Sequence, residues 1–131
     1  MVKYTGKDGK EYILRFDMSA MEAIREKFGS TQEGMQKLQS NDIGIIRDIF
    51  VILAQAGAEF VAEQEGKTCI EMITGDGMLS KHSSIGRVKA MSKAIQEAVK
   101  DGNRMQSKDE EDDQVRDGYL EELQEQETEK N

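Results

Sequence analysis

The side chains best suited to nucleophilic catalysis or metal binding are few in this chain of 131 residues. Cys69 is the single cysteine and His82 the single histidine. A structural zinc site usually takes four nitrogen or sulfur ligands, so these two residues are too few to build one. A cysteine–histidine nucleophile pair is conceivable, but Cys69 stands in a mostly apolar run that is typical of a buried thiol. We therefore expect neither a metal ion nor a catalytic nucleophile here.

Acidic side chains offer the other route to catalysis, since the chain has 26 Asp and Glu residues. Composition alone allows a pair of carboxylates of the glycosidase type. Such a pair works in an enclosed pocket, and a small helical domain offers little enclosed volume. The acidic run 109–113 lacks the glycine and the terminal glutamate of an EF-hand loop. The sequence therefore predicts a protein that is not an enzyme and needs no cofactor.

The charge is distributed unevenly along the chain. Residues 1–102 contain 14 Lys/Arg and 15 Asp/Glu, a balance of −1, whereas residues 103–131 contain 4 and 11, a balance of −7. Nonspecific binding to nucleic acid needs a net basic surface, so we expect no nucleic-acid partner. High charge with few apolar residues is typical of disorder. The sequence predicts a folded domain at 1–102 and a flexible acidic tail at 103–131.

The longest apolar run, residues 49–54, lies in a segment from Asp42 to Gly66 with apolar residues at every third or fourth position. This period predicts an α-helix of about 22 residues, or about 33 Å. Ser40 or Asp42 can cap its start, and Gly66 suits its end. The apolar arc is too broad for a solvated helix, so other elements must cover it. Charged residues inside the segment argue against a membrane span.

The first 16 residues predict a β-hairpin. Residues 2–5 and 10–16 are rich in aromatic and β-branched side chains, and Tyr12, Leu14 and Phe16 alternate with other residues. Between them, Gly6-Lys7-Asp8-Gly9 has the composition of a tight turn. A hairpin of this size is marginally stable alone, so it must pack on a helix or join a sheet between subunits.

Two shorter helices are predicted after the hairpin. Ser19 and Glu22 have the spacing of a capping box, Asp17 is an alternative cap, and Gly29 suits the end of this helix. Ser30 and Glu33 repeat the capping-box spacing for a second helix. The run 69–73 after the central helix fits either a last helical turn or a short strand.

A last helix is predicted from Ser80 or Ser83 to Asp101, with Gly102 as its end. One face of this helix is apolar and the other is polar. A polar face of this kind is usually only solvated, but it is alternatively a docking strip for an acidic surface, including the tail of this protein. Beyond Gly102, a few apolar residues keep one-sided helical spacing, so a short helix can form there when a partner covers it. The polar face is basic and carries Lys81, Arg87, Lys89, Lys93 and Lys100.

The fold expected from these elements is mainly α (α+β). It has an N-terminal β-hairpin, about four helices with one long central apolar helix, and a disordered acidic C-terminal tail. Flexible methionine side chains more often fill irregular gaps in a core than form a binding surface. A small core beside many such side chains still leaves room for an exposed patch, so we expect self-association. The candidate partner-binding residues are Ile46, Ile49, Phe50, Leu53, Phe60, Val115, Tyr119, Leu120 and Leu123.

The part of the chain from about residue 10 to residue 100 resembles the tail assembly chaperones of long-tailed bacteriophages and prophages. The resemblance rests on Leu14-Arg15-Phe16-Asp17 at a strand end, on the helix that follows and closes in Phe28-Gly29, and on a long helix that contains Ala54-Gln55-Ala56-Gly57. It implies a non-enzymatic factor in the cytoplasm of the host bacterium that is not retained in the mature virion. Partners implied by the family are the tape measure protein and the tail tube protein, together with self-association.

The mechanism expected from this resemblance is capture of an apolar helix in a groove formed by the long helix. Two alternatives remain open: a structural tail or connector component of the virion, and an acidic regulatory adaptor. The N-terminus has no apolar signal region, so we expect no export and no membrane partner. In the family that the chain resembles, a fraction of translation shifts frame and appends a second domain. Lys130-Asn131 is compatible with a slippery codon heptamer, so the resemblance implies a longer, frameshifted form as a hypothesis.

Overall fold

The computed structural model describes residues 1–6, 9–69, 71–75 and 84–116, with side chains in the last range described as far as Arg104. The elements confirm the predicted fold class: a two-stranded antiparallel hairpin comes first and four helices follow it. The strands are β1 (Val2–Thr5) and β2 (Glu11–Leu14), and the helices are α1 (Met18–Phe28), α2 (Thr31–Leu38), α3 (Ile43–Gln64) and α4 (Ile85–Arg116).

The hairpin lies on α3, with Tyr4 opposite Tyr12 in its register. The Gly6 and Gly9 ends of the turn are joined by a hydrogen bond of 3.0 Å from the Gly9 amide to the Gly6 carbonyl. β2 is shorter than the predicted strand, because the Arg15 amide leaves the hairpin and donates to the Leu53 carbonyl of α3 at 3.1 Å. The hairpin is therefore tied to the central helix through its backbone as well as its side chains.

Local capping residues set the starts of the first three helices. Asp17 caps α1 by accepting from the Ala20 amide at 3.1 Å, so the alternative cap, and not Ser19, begins this helix. Ser30 caps α2 by accepting from the Glu33 amide at 3.0 Å, and Asp42 caps α3 by accepting from the Ile45 amide at 3.2 Å. Gly29 ends α1 with a φ of 99°, a conformation that glycine adopts without strain.

The core is built around α3, as its apolar period predicts. Phe50 is fully buried and receives the edges of two hairpin rings, with centroids 5.0 Å from Tyr4 and 6.0 Å from Tyr12. Such edge-to-face pairs add to the stabilisation that comes from area burial alone. On another side α4 contributes Met91 and Ile95, both fully buried. The hairpin, α4 and the two short helices α1 and α2 together cover the apolar arc of α3.

Gly102 does not end the last helix, which continues to Arg116. A Cβ atom built on Gly102 would overlap the Phe16 carbonyl group. The glycine therefore lets α4 approach the end of the hairpin closely. Glycine destabilises a helix interior relative to alanine, but a residue with a Cβ atom would not fit at this contact. The predicted tail boundary at residue 102 stays a prediction, and residues 117–131 lie outside the described part of the chain.

The segment after α3 has no regular structure at residues 67–69 and 71–74, so neither the helical turn nor the strand considered for 69–73 forms among its described residues. It is held against α3 by the side chain of Gln55. The Gln55 Oε1 accepts from the Ile73 amide at 2.8 Å, and its Nε2 donates to the Glu71 carbonyl at 3.0 Å. One polar side chain thus satisfies two backbone groups of an irregular segment.

Candidate binding groove

Four of the predicted partner-binding residues belong to the core and are not accessible. Ile46 is 2% exposed, and Ile49, Phe50 and Leu53 have no exposed surface. In this conformation the four residues offer almost no surface to a partner, and their role in partner contact stays a prediction. The hairpin and α4 already occupy the face that the sequence leaves to be covered, so a partner would have to displace part of the fold to reach it.

Phe60 is half-buried and already has a partner. The Arg15 guanidinium lies over its ring, with 3.7 Å from Cζ to the ring centroid. Arg15 Nε also donates to Asp17 Oδ2 at 3.0 Å, which fixes the guanidinium in this place. Phe60 therefore joins the end of the hairpin to α3 through a cation–π contact.

The remaining predicted residues fall at the end of the chain. Val115 lies in the last turns of α4, where the structure describes the backbone. Tyr119, Leu120 and Leu123 lie outside the described residues. Their role in partner binding stays a prediction.

An open groove with a volume of about 470 Å³ runs between the first turn of α3 and the first half of α4. Ile43 and Ile85 form its rims and are 57% and 75% exposed, respectively. Buried Ile46 and half-buried Val88 form apolar surface between these rims. The groove is lined by Asn41, Ile43, Ile46, Ile85, Val88, Lys89, Ser92, Lys93 and Gln96.

The residues that α4 contributes to the groove recur at helical spacing. Ile85, Val88, Ser92 and Gln96 are three or four positions apart, so they share one face of the helix. The start of the helix is held by Ser84, whose Oγ accepts from the Arg87 amide at 3.3 Å. This order gives a straight wall of about 17 Å from Ile85 to Gln96 at 1.5 Å per residue.

The edge of the groove is positively charged. Lys89 and Lys93 both line it from α4. Neither lysine forms an ion pair or a hydrogen bond with a described residue. Part of the basic face that the sequence predicts on this helix therefore lies beside exposed isoleucines. An apolar ligand with acidic flanks is complementary to such a surface.

A second, smaller cavity of about 270 Å³ lies on another side of α3. Its lining is more polar and includes Lys27 and Asp48, which form an ion pair at 3.7 Å. Gly75 of the irregular segment closes it, and the Arg47 side chain lies against this glycine. This cavity is a gap between α3 and the irregular segment that follows it.

The described residues contain no group of three or more histidine, cysteine, aspartate or glutamate side chains placed to hold a metal ion. Cys69 is half-buried, less enclosed than its sequence context suggests, and its Sγ lies 3.6 Å from the Glu71 carbonyl oxygen. His82 lies outside the described residues, so a pair with Cys69 is not assessed by the structure. In the part of the chain that the structure describes, no helix has the length and apolar character needed to cross a membrane.

Sequence reasoning missed the rims of the groove. Ile85 belongs to the apolar stripe of the last predicted helix, and Ile43, in the first turn of the central helix, is not among the residues that the apolar period of that helix singles out. Their exposure results from the first turns of α3 and α4 lying beside each other with no described element over them. Comparisons with protein-family models, with curated proteins and with solved structures found no match to this chain.

Proposed function

We propose that this protein is a non-catalytic binding protein that captures an apolar or amphipathic helix of a partner in the groove between α3 and α4. The observation that supports the proposal is the pair of exposed isoleucines, Ile43 and Ile85, on either side of an open, largely apolar channel. Large apolar side chains concentrated at a groove are typical of interaction sites. A helix laid into a groove is a common mode of recognition.

The partner class follows from the resemblance to tail assembly chaperones. In this proposal the protein binds the tape measure protein in the host cytoplasm, keeps its apolar helices from aggregating, and promotes assembly of tail tube protein around it. The chemistry of the groove suits such a client, because a long helical protein offers apolar residues at spacings of three and four. No step of this mechanism breaks a covalent bond.

The test is co-purification with the tape measure protein of the same phage genome, using the variants Ile43→Asp and Ile85→Asp. Both residues are exposed, so these variants should fold normally, and circular dichroism checks this. Met18→Asp is the matched control, because Met18 is 74% exposed and does not line the groove. Loss of the client with both isoleucine variants and retention with the control is the expected result.

Retention of the tape measure protein by folded Ile43→Asp and Ile85→Asp variants would exclude the groove as the binding site. Mass spectrometry of purified virions distinguishes the alternative of a structural component from a chaperone. A structural component would be found in the virions, and a chaperone would be absent from them. An acidic regulatory adaptor would bind a basic partner through residues 103–131, and its binding would survive both isoleucine variants.

A further inference from the structure

The groove has a second possible occupant within the sequence of the protein itself. Residues 117–131 contain six Asp/Glu and one Lys, a balance of −5. Within this segment Tyr119 and Leu123 are four positions apart, so in a helix they would share one face with Val115, and Glu121 and Glu122 stand between the apolar residues in sequence. Apolar residues with acidic neighbours are the complement of exposed isoleucines beside two lysines that pair with no described residue.

The dimensions of this segment also suit the groove. From Val115 to Leu123 a helix would extend about 12 Å at 1.5 Å per residue. The wall of the groove along α4 is about 17 Å long on the same scale. A helical stripe of this length is therefore shorter than the wall of the groove.

The length of α4 prevents a chain from filling its own groove. Arg116 is 24 residues from Ser92, which places the helix end about 36 Å from the middle of the groove. Leu123 follows Arg116 by seven residues, which span at most about 25 Å when fully extended. While α4 is helical, the apolar residues of the segment cannot return to the groove of the same molecule. A second copy has no such restriction.

We propose that the groove between α3 and α4 binds the acidic segment 117–131 of a second copy of this protein. Tyr119, Leu120 and Leu123 would contact the Ile43 and Ile85 rims, and Glu121 and Glu122 would pair with Lys89 and Lys93. Two copies arranged in this way occupy each other's groove, which keeps the apolar rims covered when no client is present. The inference uses the same groove as the proposed function, but it concerns the protein alone.

The first experiment is zero-length carbodiimide crosslinking of the full chain, which joins a lysine amine to a carboxylate in contact. A mixture of ¹⁴N- and ¹⁵N-labelled protein distinguishes links between copies from links within one copy. The expected result is isotopically mixed peptide pairs that join Lys89 or Lys93 to Glu121 or Glu122. Links confined to one copy, or the absence of links between these positions, would overturn the proposal.

The second experiment is a charge exchange followed by sedimentation velocity. Inverting the charge of one partner in both ion pairs replaces attraction with repulsion. The Lys89→Glu/Lys93→Glu variant should therefore show self-association about tenfold weaker, and Glu121→Lys/Glu122→Lys should show the same loss. The protein with all four changes should regain association, because the pairs are restored with inverted signs. Lys100→Glu is the control, since Lys100 does not line the groove.

A wild-type protein that stays monomeric at high concentration would refute the inference without affecting the client-binding proposal. Association that persists unchanged in both double variants would also refute it, by locating the interface elsewhere. Conversely, loss of client binding in the Ile43→Asp variant is measured with the tape measure protein present and does not depend on self-association.

Discussion

The closest backbone contact in the core leads to a sharp prediction at Gly57 of α3. A Cβ atom built there would overlap the carbonyl group of Ile13 in β2, and would also lie 3.2 Å from the Ile13 Cβ. Substitution of Gly57 by alanine must therefore move the strand or the helix. The strand is held in place, since Leu14 is 2% exposed and the Arg15 amide donates to the Leu53 carbonyl at 3.1 Å.

Two effects of opposite sign decide the size of the change. Alanine in a helix interior is favoured over glycine by about 1 kcal/mol. Overpacking in a close-packed core costs about 1–3 kcal/mol and occasionally more. The obstacle here is backbone, which cannot rotate away as a side chain can, so the cost falls at the upper end of that range. We expect Gly57→Ala to lower the free energy of unfolding by about 2 kcal/mol, or the melting temperature by about 8–16 °C.

The assay is thermal and urea unfolding followed by circular dichroism at 222 nm. Gly86→Ala is the matched control, because a Cβ atom at Gly86 meets only the Ser84 Oγ at the ordinary distance of 3.8 Å. This control should be neutral or stabilised by up to about 1 kcal/mol. If Gly57→Ala is as stable as the control, β2 does not lie against α3 as described, and the reasoning about the core fails.

Three further substitutions test the caps, the core and the cation–π contact. Asp17→Ala should lower the free energy of unfolding by about 1–2 kcal/mol through loss of the cap, whereas Ser19→Ala should change it by less than about 0.5 kcal/mol; equal effects in denaturant titrations would show that Asp17 is not the cap. Leu53→Ala should cost about 2–5 kcal/mol because Leu53 has no exposed surface; a smaller loss on urea unfolding would mean that this side chain is accessible. A double-mutant cycle of Arg15→Met, which removes the cation, and Phe60→Leu, which removes the ring, should give a coupling of about 0.5–1 kcal/mol, and a coupling near zero would contradict the stacked geometry.

Several features of the fold could be predicted because their causes lie within a few residues of each other. The cap of α2 at Ser30 depends on the amide of Glu33 three positions later, and the cap of α3 at Asp42 depends in the same way on Ile45. The end of α1 at Gly29 needs a conformation that glycine adopts easily. The length of α3, 22 residues, follows from the extent of its apolar period.

Predictions failed where a contact joins segments that are far apart in the chain. Gly102 has the composition of a helix end, yet the Phe16 backbone lies against it and α4 continues. The end of the last helix is not visible in a local pattern, because it depends on where the hairpin packs. The cap of α1 is a different case: the sequence leaves Ser19 and Asp17 open, and the structure selects Asp17, which also accepts from Arg15 two residues earlier.

The candidate site shows the same division between local and long-range information. Apolar periodicity identifies α3 as the element that other parts of the chain must cover, but it does not tell which of its isoleucines stay uncovered. In the structure Ile46 is 2% exposed and Ile43 is 57% exposed, because α4 passes over the one and leaves the other at the rim of a groove. The sequence by itself determined which segments are helical, the cap of α2 and the apolar faces, since these follow from interactions between near neighbours. The tertiary structure decided which apolar residues are buried and which remain open to a partner, since burial is set by the packing of distant segments.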